Sequence, residues 1–174
     1  TLKNTESVRK FIDALINKHQ ITSIVDVSCG AMCWWPSLLE NHPDIQFYGR
    51  DVAGDLIQKL KQKYKHKENW EFEALDISNP EADVPECDLL ICRHTLNHLS
   101  FTDIKLALAK LFNSSSKYLC ISNFPSVINP KEDEGIPLLT DMPSGFKFRF
   151  LNLESEPFLC PPPIKSCKDD DPIG

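Results

Sequence analysis

Apolar residues recur along this chain at helical spacing and then in short strand-like runs, and the order repeats. Between positions 5 and 18, Val8, Phe11, Ile12, Leu15 and Ile16 share one helical face, with Asn4 or Thr5 placed to cap it. Ser23-Ile24-Val25-Asp26-Val27 is a continuous apolar run of the kind a strand covered on both faces requires, ended by the small residues Ser28 and Gly30. Trp34, Trp35, Leu38 and Leu39 then predict a helix that tolerates Pro36 only in its first turn. Residues 45–51 read as a second strand ending in Asp51, and 54–65 as a helix with Leu56, Ile57 and Leu60 inward. Alternation over 70–76 gives a third strand ending in Asp76, and 88–92 a fourth. A helix over 101–112 is expected to bury Phe101, Ile104, Leu108, Leu111 and Phe112, before a fifth strand at 116–122. This alternation predicts βαβ units: an α/β fold with a mostly parallel central sheet and helices on both faces.

After Phe124 the character changes. Pro125, Pro130, Pro137, Pro143, Pro157 and Pro161-Pro162-Pro163 punctuate a loop-rich stretch. Within it, 126–145 reads either as a lid or substrate loop over the sheet or as an unordered segment, and both readings stay open. Residues 146–151 alternate well enough for one more strand. Residues 1–166 are expected to form a single domain, and 167–174, with Asp169-Asp170-Asp171, an exposed acidic tail.

A chain of 174 residues, 41% hydrophobic and 25% charged, suits one domain with a real core. It holds no apolar run near the roughly 20 residues that cross a bilayer, and no apolar signal core follows Thr1-Leu2-Lys3-Asn4. No initiating Met is present, so a processed or cut form is an open reading. The net charge of −6 and pI near 5.3 argue against a nucleic-acid partner. Lys59, Lys61, Lys63, Lys65 and Lys67 alternate strictly, which spreads them around a helix as a solvated surface. Seven cysteines form an odd set, and Cys29, Cys87, Cys92 and Cys120 sit in or beside apolar runs. That suits a reducing, cytoplasmic location better than a disulfide framework. His94 and His98 stand four apart without the intervening Glu of a zinc-protease motif, so no metal is expected.

Polar residues cluster at the predicted strand ends: Asp26, Asp51, Asp76, and Arg93-His94 after the fourth strand. In an open parallel sheet, ligands bind at that edge. Gly30 lets backbone approach a ligand closely. An acid such as Asp51 can accept both hydroxyls of a ribose. Asp76 can take an exocyclic adenine amine while Ile77 covers the ring. A dinucleotide fingerprint needs further glycines that Ala31-Met32-Cys33 does not supply, and no Gly-Lys-Ser/Thr of a phosphate loop occurs. These ends therefore fit a nucleoside-type cofactor without phosphates.

Asp26-Val27-Ser28-Cys29-Gly30, Tyr48-Gly49-Arg50-Asp51 and Leu75-Asp76-Ile77 resemble successive motifs of class I S-adenosylmethionine-dependent methyltransferases. A closer resemblance is to a mostly bacterial group of small methyltransferases. It rests on Cys29-Gly30-Ala31-Met32-Cys33-Trp34, on Cys92-Arg93-His94-Thr95-Leu96-Asn97-His98-Leu99-Ser100, and on Phe150-Leu151-Asn152-Leu153-Glu154-Ser155-Glu156-Pro157-Phe158. It implies a Rossmann-like methyltransferase fold whose members continue past residue 174 into a further strand. It also implies S-adenosylmethionine as cofactor, held by Asp26, Ser28, Gly30, Trp34, Asp51, Asp76, Ile77, Cys92 and Arg93. Arg93 and His94 would then line the acceptor side as catalytic residues, since histidine is the side chain suited to act as a base near neutral pH. His98 reads as a packed structural histidine. The implied acceptor is a small molecule or a glycan. Ser28, Ala31 and His94 depart from the group, which prefers Gly, Asp and Asp there. Those departures motivate the alternative of a methyltransferase-like binding or interaction module that has lost the cofactor.

Overall fold

The apolar runs become strands where burial on both faces demands it. Ser23–Asp26 (β1), Gln46–Asp51 (β2), Trp70–Ala74 (β3), Leu89–Cys92 (β4) and Tyr118–Ile121 (β5) form one sheet in the order β3-β2-β1-β4-β5. Every pairing is parallel, with Val25 of β1 opposite Tyr48 of β2 on one side and Leu90 of β4 on the other. The computed structural model describes residues 3–131, 133, 135 and 148–170. Much of the expected lid at 126–145 lies outside them, as do residues 171–174.

Because side chains alternate along a strand, the sheet has two apolar faces. Ile24, Phe47, Leu89 and Ile91 face α1 (Glu6–His19), α2 (Trp35–Leu39) and α3 (Gly54–Lys63), meeting Ile12, Trp35, Leu39 and Ile57. Val25, Leu90 and Cys92 face α4 (Phe101–Asn113), meeting Ile104, Ala107, Leu108 and Leu111. Each such fully buried aliphatic or aromatic side chain stabilises the fold by about 1.5–3 kcal/mol. The helix ends follow from local chemistry. Helix α1 stops at Gln20, whose left-handed backbone (φ 53°, ψ 47°) returns its N–H to Ile16 O. Helix α4 starts at Ser100, whose hydroxyl accepts from the Asp103 N–H (3.1 Å) and donates to the Asp103 carboxylate (2.7 Å). Phe112 departs from expectation: it lies at the edge of the apolar stripe, half exposed, and Ala107 is buried instead.

At the amino ends of the strands Asp88 ties three of them together. One carboxylate oxygen accepts from Thr22 N (2.7 Å), Thr22 Oγ1 (2.8 Å) and Ser23 N (3.2 Å), and the other pairs with Lys117 at 2.6 Å. Lys117 and the Thr22 N–H hold this carboxyl well below the usual range.

The strand expected at 146–151 does not form over its described part, 148–151. Phe148, Arg149 and Leu151 are all buried while Phe150 is exposed, so alternation fails at Arg149. That guanidinium lies 4.4 Å over the Phe101 ring, pairs with Asp133 (2.7 Å) and donates to Leu99 O. The backbone here is used by other partners: Arg149 N donates to Asn97 O (3.1 Å), Asn97 Nδ2 donates to Arg149 O (2.7 Å), and Leu151 O accepts from Phe124 N (2.9 Å). Beyond it, buried Asn152 exchanges hydrogen bonds with Asn129 in both directions (2.9 and 2.7 Å). The 148–153 stretch thus clamps loops over the α4 face. No helix among the described residues is long and apolar enough to cross a membrane.

Candidate functional site

The strand order turns back between β1 and β4, and the carboxyl ends of strands at such a switch point are where open parallel sheets bind ligands. Asp26, the last residue of β1, is 3% exposed. Its two oxygens accept from Trp35 Nε1 (2.6 Å) and Ser28 N (3.0 Å). Burial pushes its carboxyl up to about 6, against the opposing pull of those hydrogen bonds. Asp26 therefore shapes the loop from beneath. Ser28 bridges the ends of β1 and β4, its hydroxyl donating to Arg93 O at 3.0 Å. It is not among the residues with positive φ, so the side chain present where a glycine was expected brings no backbone strain.

Loop 28–32 folds back over β2. Cys29 N donates to Arg50 O (2.9 Å), and Gly30 N donates to Asp51 Oδ2 (3.0 Å). This close approach depends on Gly49: a Cβ there would lie 2.6 Å from Phe72 Cδ1 and 3.1 Å from Cys29 Sγ. Burial, reinforced by the Asp26 and Asp51 charges, pushes the Cys29 thiol up, so it packs and is not a nucleophile. Gly30 takes φ +51°, and a Cβ there would lie 3.9 Å from Ser28 O, so it is the backbone conformation that favours glycine at this position. Buried Met32 takes φ 57° as well, a left-handed position the sequence pattern did not reveal.

Asp51 is the residue best placed to meet a ligand. It is half-buried, and its other oxygen accepts from Ala53 N at 3.0 Å. A carboxylate offers about four acceptor positions, so the two backbone contacts leave both oxygens able to accept again. Asp76 follows one residue beyond Leu75, whose N–H reaches Asp51 O (3.0 Å). It is exposed, and its Oδ1 accepts from Ser78 N and Ser78 Oγ. Asp51 and Asp76 are the acids at this edge that could accept from the vicinal hydroxyls and exocyclic amine of a nucleoside. The structure brings Asp26, Ser28 and Arg93 into one hydrogen-bonded set and Gly30 and Asp51 into a second on the same loop, with Asp76 in the turn just past β3. Trp34 (8% exposed), Ile77 (3%) and Cys92 (1%) are instead walls of the core. Trp34 stacks on Trp35 at 4.2 Å, and burial pushes the Cys92 thiol up to about 12.

Just past β4, Arg93 donates through Nε (2.7 Å) and Nη2 (2.9 Å) to the two oxygens of Asp169. His94 Nε2 lies 3.1 Å from the same carboxylate. His94 has φ 57°, and its N–H donates to Ser122 Oγ at 3.0 Å. His98 packs edge-on against Phe148 at 5.5 Å, as a structural histidine would. Of the expected acidic tail, Cys167, Lys168 and Asp170 are exposed but Asp169 is half-buried on this pair. Sequence reasoning missed Asp169 and Ser122. The only signal was a run of acids downstream of a lone Arg-His pair, with no periodicity to link them.

The family model described as "Methyltransferase domain" matches residues 24–116, which run from β1 to just before β5. No curated protein matches the sequence. Among solved structures, the fold is similar to the methyltransferase domain of bacterial CtHen1-C, with 13% identity and a TM-score of 0.57 over 67% of this chain and 64% of that one. It is also similar to coclaurine N-methyltransferase bound to N-methylheliamine and SAH, with 16% identity and a TM-score of 0.51 over 64% of this chain and 34% of that one. The chain thus spans less than two thirds of the length of either structure.

Proposed function

This chain belongs to the methyltransferase domain family, and on that premise we propose that it carries out S-adenosylmethionine-dependent methyl transfer to a small-molecule or glycan-like acceptor. The observation that carries the reading is the Gly30 N–H held on Asp51 Oδ2, which sets a left-handed glycine turn against a carboxylate with acceptor capacity to spare. Asp51 would take the ribose hydroxyls and Asp76 the adenine amine. Asp26 and Ser28 keep the loop in place, while Trp34, Ile77 and Cys92 pack behind it. When bound, S-adenosylmethionine supplies a methyl group on a positively charged sulfur, open to in-line attack. What this chain adds is position and exclusion of water. The Arg93 carbonyl anchors the loop through Ser28 and its guanidinium faces the acceptor side, where the His94 ring can take or share a proton.

The net charge of −6 supports a small acceptor over a nucleic acid. All seven cysteines are unbridged, which supports a reducing, cytoplasmic setting. The alternative of a module without cofactor loses one of its motives, because Ser28 is accommodated without strain. The reading is tested by Asp51→Ala. Losing even one charge-assisted hydrogen bond of about 1.5–3 kcal/mol should weaken S-adenosylhomocysteine binding at least about tenfold, with the melting temperature as a control. Unchanged affinity in a folded variant would remove Asp51 from the cofactor site.

A further inference from the structure

The Arg93–His94 pair already holds a ligand, and the ligand is part of the chain. Asp169 presents a planar carboxylate to the Nε and Nη2 edge of Arg93, both bonds short, and to His94 Nε2. This two-point match of guanidinium edge to carboxylate is the arrangement by which arginine recognises a free acid. It is also sheltered, with the Arg93, His94 and Asp169 side chains 18%, 15% and 21% exposed. His94 is kept in the left-handed region by Ser122, a backbone cost carried at the point where its ring meets the carboxylate.

An open cavity of about 860 Å³ extends from the pair, bounded on its outer side by residues 160–169. Its inner wall is apolar, with Val8, Phe11 and Ile12 of α1, Leu119 and Ile121 of β5, and Phe124. One end of the space therefore matches a carboxylate, and its α1 and β5 wall accommodates an apolar body, while Asn123, Glu154 and Lys165 add polar groups to the lining. The backbone of Arg93 is bonded to the loop through Ser28, so the anion end adjoins the proposed cofactor site.

We propose that Arg93 and His94 form the carboxylate subsite for the acceptor, an acid with an apolar body, and that Asp169 fills this subsite until the acid displaces it. The inference rests on the methyltransferase reading for the word acceptor, but the binding event does not need the cofactor. Asp169 competes from within the chain, so the apparent affinity of an external acid is reduced by the fraction of time the fork stands open. The segment carrying Asp169 also bounds the cavity, which makes acid binding and movement of that segment one event.

The test titrates 3-phenylpropionate into the full chain without S-adenosylmethionine. Asp169→Asn should bind at least tenfold tighter than the wild type. Adding Arg93→Gln to that variant should abolish binding, and 3-phenylpropionamide should bind to none of them. Equal affinity in wild type and Asp169→Asn, or equal binding of the amide, overturns the proposal, as does tighter Arg93-dependent binding of phenyl phosphate. Should Asp169→Asn not fold, the wild type decides. Its Arg93 Nε–H and Asp169 amide resonances should move along one titration curve, and movement of either alone overturns the displacement. S-adenosylmethionine binding to the same proteins separates the two claims. Acid binding lost with cofactor binding intact sinks only this inference, whereas the reverse sinks the methyltransferase reading alone.

Discussion

Replacing Asp26 with asparagine isolates the energetic consequence of keeping a carboxylate beneath the first loop. An aspartate in an unfolded chain titrates at about 3.9, whereas in the folded chain burial pushes Asp26 up to about 6. Below about pH 4 the group is protonated in both states, and the folded chain carries no penalty. Between about pH 4 and pH 6 the folded chain keeps a proton that the unfolded chain has already lost, so stability falls over that interval and levels off above it. About two units at about 1.36 kcal/mol each give about 3 kcal/mol of native stability lost between pH 4 and pH 7.5. Asparagine does not titrate, but it can present only one oxygen to two donors, Trp35 Nε1–H and Ser28 N–H. The clash of donors should cost about 1–2 kcal/mol at every pH. Asp26→Asn should therefore be the less stable protein at pH 4 and should draw level with, or pass, the wild type by pH 7.5. Urea unfolding followed by tryptophan fluorescence at several pH values measures both curves. A gap that stays constant across this range would refute the desolvation argument.

Three further substitutions probe the frame around the site. Gln20→Gly removes a left-handed side chain from the exposed end of α1 and should stabilise the chain by about 1 kcal/mol, read as a higher urea midpoint. Gly49→Ala drives a methyl group into Phe72 and should destabilise by about 1–3 kcal/mol. Adding Phe72→Leu should recover part of that loss, and strict additivity in the double-mutant cycle would show that the two positions do not touch. Asp88→Ala leaves the N–H groups of Thr22 and Ser23 without their acceptor and should destabilise by about 2–3 kcal/mol at pH 7. Because the Asp88 carboxyl is held below its usual range, the wild-type advantage should persist above about pH 4 and fade as pH falls below it. An advantage that grew in acid would contradict the clamp.

The sheet was legible because burial on two faces leaves nearly unbroken apolar runs, as at Ile24–Val25 and Leu89–Ile91. The acids at strand ends were legible for the same reason: once the strands are placed, Asp26, Asp51 and Asp76 must fall at one edge. Their individual states were not. Asp26 and Asp51 look alike in sequence, yet one is buried beneath Trp35 and the other half-open beside Gly30. The 148–151 segment misled because an alternating pattern also arises when a buried arginine is satisfied by an aromatic face and a carboxylate. Asp169 was hidden by distance, since pairing between residues 76 apart leaves no periodic trace. The left-handed backbones at Met32 and His94 carry no glycine to announce them.

The central claim is that the carboxyl edge of β1, β2 and β4 holds S-adenosylmethionine. Isothermal titration of S-adenosylmethionine into the wild-type chain addresses it most directly. The account predicts saturable binding at one site per chain, with S-adenosylhomocysteine competing and NAD(H) giving no heat. No heat and no thermal shift at millimolar S-adenosylmethionine, from a chain that melts cooperatively, would contradict it.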